Sequence, residues 1–121
     1  MAFPSTDNLA AYIQTARQRQ QRRRERQQLR RTRGLELARE AADLLKANFS
    51  ISRVVLFGSV LDAAGFHEMS DVDLAVWDLG TKDYIAAVAC LLELPDFSFD
   101  LVPVETASPY LRAAISQGIP L

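Results

Sequence analysis

The chain alternates between stretches whose apolar residues recur at helical spacing and short runs that are apolar throughout. Leu35, Ala38, Ala42, Leu45 and Phe49 fall three or four apart, with Ala41 and Leu44 beside them. This predicts an amphipathic helix over 35–48 with one face in a core. Arg53-Val54-Val55-Leu56-Phe57 is a β-branched, apolar run and reads as a buried strand. Val72 to Trp77 predicts a second strand and Phe97 to Val104 a third. Between them, Val60 to Ala63 reads as a short helical segment. Thr81 is placed to cap a helix over Lys82–Leu94, with Tyr84, Ile85, Val88, Leu91 and Leu92 on its apolar face and Pro95 ending it. Ser108-Pro109 opens a last helix, which ends near Gly118. Strands alternating with helices predict an α/β or α+β layer fold, a small three-stranded sheet packed by helices.

The N-terminal third behaves differently. From Asn8 to about Arg33 there is no Pro or Gly, and Arg, Gln, Ala and Leu favour helix. Ser5, Thr6 or Asp7 is the expected N-cap. Apolar residues are scarce between Ala16 and Leu29, and a helix polar all round has no stripe of its own to bury. Gly34 reads as a hinge or break, dividing an Arg/Gln-rich helical arm, 1–34, from a domain over 35–121.

Charge sharpens that division. Residues 1–33 carry nine arginines against Asp7 and Glu25, whereas residues 34–121 carry five cations against thirteen carboxylates. The formal net charge of −1 therefore conceals a basic arm on an acidic body. Such an arm is expected to meet something negative: RNA, a partner protein, or the body of a second copy. The arginine run contains no aromatic residue on which bases could stack, which favours protein over nucleic acid. An apolar fraction of 49% is enough for a core. No run approaches the ~20 apolar residues that span a bilayer. Without a signal-peptide pattern, and with Cys90 the single cysteine and set on the apolar side of its helix, the expected setting is cytoplasmic with no internal disulfide.

Candidate chemistry gathers at the strand ends. Gly58-Ser59 follows the first strand. Glycine lets backbone approach a phosphate closely, and the Ser59 amide and hydroxyl are anion donors. Asp71 and Asp73 open the second strand two residues apart, so they are expected on one face. Their mutual repulsion asks for a cation, and an oxygen-only pair suits Mg²⁺. Asp100 interrupts the apolar third strand, where an unpaired carboxylate is costly, and it would complete a three-carboxylate metal site. His67 reads as an exposed loop histidine, and Trp77 as a strand residue beside the core.

Gly58-Ser59, a spacer, Asp71-x-Asp73 and Asp100 on a later strand together resemble the polymerase-beta-like nucleotidyltransferase superfamily, and the small size is similar to its minimal nucleotidyltransferase branch. The likeness is close over 54–76 and extends at fold level over 35–121. It implies an enzyme that uses Mg²⁺ and ATP to move AMP onto an acceptor hydroxyl. Gly58 and Ser59 would hold the triphosphate. Asp71, Asp73 and Asp100 would be the catalytic metal ligands, with Asp100 also helping to deprotonate the acceptor. It further implies an antitoxin whose partner is a HEPN-type toxin ribonuclease, silenced by adenylylation of a tyrosine. Two departures from the family pattern stand out: eleven residues rather than ten separate Ser59 from Asp71, and Val60-Leu61 stands where many members have arginine. They keep open an antitoxin that acts sterically through the N-terminal helix. Aminoglycoside-type transfer to a small molecule is the third reading.

Overall fold

The computed structural model describes residues 6–121, with side chains from residue 8 onward; Ser5 and the Thr6 and Asp7 side chains, the candidate N-caps, lie outside the described residues. One helix, α1 (Thr6–Asn48), runs for 43 residues, about 65 Å at 1.5 Å per residue. Strand β1 (Val54–Phe57) leads through a 3₁₀ turn (Ser59–Leu61) and a loop to β2 (Val72–Val76). Helix α2 (Thr81–Leu92), β3 (Phe99–Pro103), a second 3₁₀ turn (Val104–Thr106), α3 (Pro109–Ser116) and β4 (Ile119–Pro120) complete the chain.

The sheet is mixed, in the order β3-β2-β1-β4, so it has four strands rather than three. The fourth escapes a periodicity reading because it is two residues long and contains a proline. It lies at the sheet edge, where a missing N–H is tolerated. β1 pairs antiparallel with β2, and β2 pairs parallel with β3. One face of the sheet (Val54, Leu56, Val72, Leu74, Val76 and Leu101) packs on Ala38, Ala41, Ala42 and Leu45 of α1 and on Ala87 and Leu91 of α2. On the other face Val55, Phe57 and Ala75 meet Ile115 of α3. The Ser108 hydroxyl accepts from the Leu111 amide at 3.2 Å and caps α3, with Pro109 at its first position.

Further expectations are corrected. Gly34 does not break the helix: arm and first domain helix are one element. Gly34 is buried, and a Cβ there would sit 3.3 Å from Phe66 Cζ, so the missing side chain lets the helix lie close against the Phe66 ring. On α2, Ile85 and Leu92 are exposed, because only the strip through Tyr84, Ala87, Val88 and Leu91 reaches the sheet. Thr81 is the first residue of α2 rather than its cap, and Cys90 is half-buried. No described helix is long and apolar enough to cross a membrane.

The arm joins the body through Phe66 and three arginines. Phe66 is fully buried and stacks on Phe97 with centroids 5.7 Å apart. The Arg30 guanidinium lies 4.2 Å above the Phe97 ring and donates to the Glu68 carbonyl at 2.7 Å. Arg31 Nε donates to the Val60 carbonyl at 2.7 Å, and Arg33 pairs with Glu36 and Asp96. Truncation of the ring by Phe66→Ala should lower the unfolding free energy by about 3–5 kcal/mol, the usual cost of emptying an aromatic site. Urea denaturation measures it, and a loss below about 1 kcal/mol would show that the ring does not anchor the helix.

Candidate active site

The sheet topology brings the candidate residues to one edge. β1 ends where β2 begins, because the two are antiparallel, so the Gly58-Ser59 turn stands beside the start of β2. β3 runs parallel to β2 with Asp100 directly alongside Asp73, and Phe57 flanks Asp73 from the other side. Adjacent strands lie about 4.8 Å apart, so Asp73 and Asp100 are lateral neighbours on the same face. Asp71 sits one residue outside β2, not on it: the ladder starts at Val72, whose amide donates to the Ser98 carbonyl at 3.0 Å.

Gly58 has a φ of 86°, a conformation glycine adopts without strain. A Cβ there would run into the Asp73 carboxylate, so the turn is shaped around that side chain. Ser59 opens the 3₁₀ turn directly after it. Val60, where the family pattern has an arginine, is fully buried in the core; the guanidinium that reaches it is that of Arg31, from α1.

Electrostatics single out Asp73. Asp71 and Asp100 are exposed, whereas Asp73 is half-buried. Burial, then the charge of Asp100, then that of Asp71, push its pKa up to about 6. The three carboxylates are thus close enough to repel one another, although among the described residues no three acidic, His or Cys side chains converge as a ready-made metal cage. Mg²⁺ does not need one, since it is commonly held by one or two carboxylates with substrate phosphates and water filling the remaining positions. The donor set and the close Gly58 turn fit such an ion.

Sequence reasoning missed the arm's part in the surroundings. Arg30 shares a recess with Ser70, Asp71 and Ser98 at the same sheet edge. That recess adjoins an open cleft of about 880 Å³ under the arm, walled by Arg23, Arg26 and Arg33 and floored by Phe97. The spacing of Arg23, Arg26, Arg30 and Arg33 at three and four residues was the available signal, but Gly34 read as a break severed it from the domain. His67 is an exposed loop residue, as expected; its Nδ1 accepts from the Met69 amide at 3.1 Å. Trp77 is half-buried just past β2, with the Arg53 guanidinium 4.1 Å from its ring.

Comparison with known proteins bears on the family and the fold. The family described as Polymerase beta, Nucleotidyltransferase matches residues 39–121. No curated protein matches the chain. Among solved structures, the chain is similar to the toxin–antitoxin complex MntA–HpeT, in a mutant form with two aspartates two residues apart changed to glutamate: TM-score 0.58, 25% identity, 69% of this chain and 70% of that one covered. The complex MntA–HepT gives a TM-score of 0.53 at 24% identity, covering 71% and 69%. A tri-AMPylated HEPN toxin with MNT antitoxin, from Shewanella oneidensis, gives 0.42 at 26% identity, covering 78% and 70%.

The raised Asp73 pKa has a signed consequence. The fold favours the protonated carboxyl, so this group's contribution to stability is present below its unfolded value of 3.8 and is lost as pH rises through about 6. Asp73→Asn is therefore expected to melt a few degrees higher than wild type above about pH 7 in EDTA, with on the order of 1 kcal/mol gained after solvent screening. The gap should close below about pH 3, where the wild-type carboxyl is protonated in both states. Thermal unfolding across that range checks it; a gap independent of pH would assign the difference to packing.

Proposed function

The chain belongs to the polymerase beta nucleotidyltransferase family, and from that premise we propose that it transfers AMP from ATP to a hydroxyl, a tyrosine in our reading, on a cognate HEPN-type toxin, and so neutralises it. The observation that carries this reading is the lateral pairing of Asp73 with Asp100 beside a Gly58-Ser59 turn that leaves no room for a side chain at Gly58. The neighbouring MntA–HpeT structure, itself a toxin–antitoxin complex, supports the partner class.

The Gly58 backbone and the Ser59 amide and hydroxyl bind the triphosphate, and Asp71, Asp73 and Asp100 hold Mg²⁺. An ion held there would neutralise charge on the phosphates and lower the cost of the developing anion. Asp100, exposed at the edge, takes the proton of the acceptor hydroxyl. The acceptor oxygen forms a bond to the α-phosphorus as the bond from that phosphorus to the β-phosphate oxygen breaks, and pyrophosphate leaves with the electron pair. Asp73 holds its place through the sheet register and the Gly58 contact, so little reorganises during the step.

Incubation with ATP, Mg²⁺ and the cognate toxin should increase the toxin's intact mass by one or more AMP units. Asp73→Asn should abolish the increase, and fragmentation should place the adduct on a tyrosine. Neutralisation by Asp71→Asn/Asp73→Asn without any adduct would establish the steric antitoxin instead.

A further inference from the structure

The family match begins at residue 39, so the part of α1 that walls the arginine cleft lies outside it. Arg23, Arg26, Arg30 and Arg33 follow one another at three, four and three residues, which puts them in one stripe along the helix. Across the cleft, the loops carrying Met69 and Phe97 form the other wall. The four arginines are not equivalent. Arg30 donates to the His67 and Glu68 carbonyls, and Arg33 pairs with Glu36 and Asp96. Arg23 and Arg26 are exposed and make no ion pair with any described residue. Two guanidiniums without a counter-charge thus line a cleft of about 880 Å³.

A guanidinium fork suits a carboxylate and a phosphate alike. The rest of the cleft separates the two. Phe97 is the only Phe, Tyr or Trp that lines it, and that ring is already stacked on Phe66 and covered by Arg30, so none is left for a base to stack on. Leu29 and Met69 line it too, both exposed, and offer apolar contact that a phosphodiester backbone does not use. We propose that the cleft receives an acidic, partly apolar segment of the protein that accepts AMP, with carboxylates of that segment on Arg23 and Arg26. Its role as acceptor rests on the transfer proposed above; the fit of an acidic segment does not.

The position of the cleft gives such a segment its use. The cleft adjoins the recess that Arg30 shares with Ser70 and Asp71. Arg26 and Arg23 lie four and seven residues from Arg30, about 6 and 10 Å along the helix axis. An extended peptide covers that distance in about two or three residues. A segment gripped by Arg23 and Arg26 therefore delivers its next few residues to the edge where the carboxylates stand, and a hydroxyl held there reacts without a separate encounter.

The probe is a short fluorescein-labelled peptide in which glutamates and leucines flank one tyrosine, titrated with the full chain and read by fluorescence anisotropy. It should bind saturably in about 50 mM NaCl, with the dissociation constant raised about tenfold or more at about 500 mM. Arg23→Glu/Arg26→Glu should raise that constant about tenfold or more, whereas Arg17→Glu/Arg24→Glu, an equal charge change on the far side of the helix, should move it less than about threefold. Circular dichroism should confirm that both variants keep the helix. With ATP, Mg²⁺ and the cognate toxin, the cleft variant should raise KM for the toxin about tenfold and leave kcat where it was, as expected when binding common to ground and transition states is lost. A peptide that does not bind, an equal loss in the two variants, or polyuridylate held more tightly than the peptide through Arg23 and Arg26 overturns the proposal. So does an unchanged KM for the toxin in the cleft variant while wild type transfers AMP. Absence of transfer from wild type would fault the proposed reaction instead, and the peptide titration would still decide the cleft.

Discussion

The Asp73 carboxylate is held where a carboxylate is least comfortable: half-buried, beside two like charges, and against a turn with no side chain. Much of the surrounding structure answers to that placement. The parallel register sets Asp100 at its side, and the antiparallel register brings the end of β1 to it. Gly58 adopts a positive φ at the point where any Cβ would displace it. A fold selected for stability alone would replace such a group by something neutral. On the function proposed above, the stabilising counter-charge arrives with the ligand.

The domain was largely legible because its signals are local. Strands β1 and β2 are short apolar runs bounded by turn residues, α3 carries a Ser-Pro start, and the Gly-Ser and Asp-x-Asp spacings survive without knowledge of the fold. Asp100 was legible as the odd polar residue in an apolar run. What stayed hidden depends on contacts between distant segments. Gly34 is a helix breaker by propensity, yet the close approach of Phe66 makes its bare backbone useful inside a helix. β4 is specified by its pairing with β1 and by almost nothing in its own two residues. The exposure of Ile85 and Leu92 reflects how little of α2 a narrow sheet can cover.

Continuity of α1 changes how the molecule is understood. With a break at Gly34 the arm would be a tethered appendage; without it, the arm is a direct continuation of a core helix. Arg30, Arg31 and Arg33 fix where that extension leaves the body, and the arginine-walled cleft opens at the same edge as Asp71. Anything that approaches the carboxylates from that side meets the arm as well. The basic and the acidic halves are thus joined by one unbroken helix.

The claim that Asp73 is poised for a cation is tested most directly by Mg²⁺ titration followed by thermal unfolding at about pH 8, with and without a non-hydrolysable ATP analogue. Wild type should gain stability with Mg²⁺, more so with the analogue, in the manner of a ligand that binds only the folded state. Asp73→Asn should start higher and stay flat. A wild-type melting temperature indifferent to Mg²⁺ under both conditions, or an equal gain in the variant, would contradict the account.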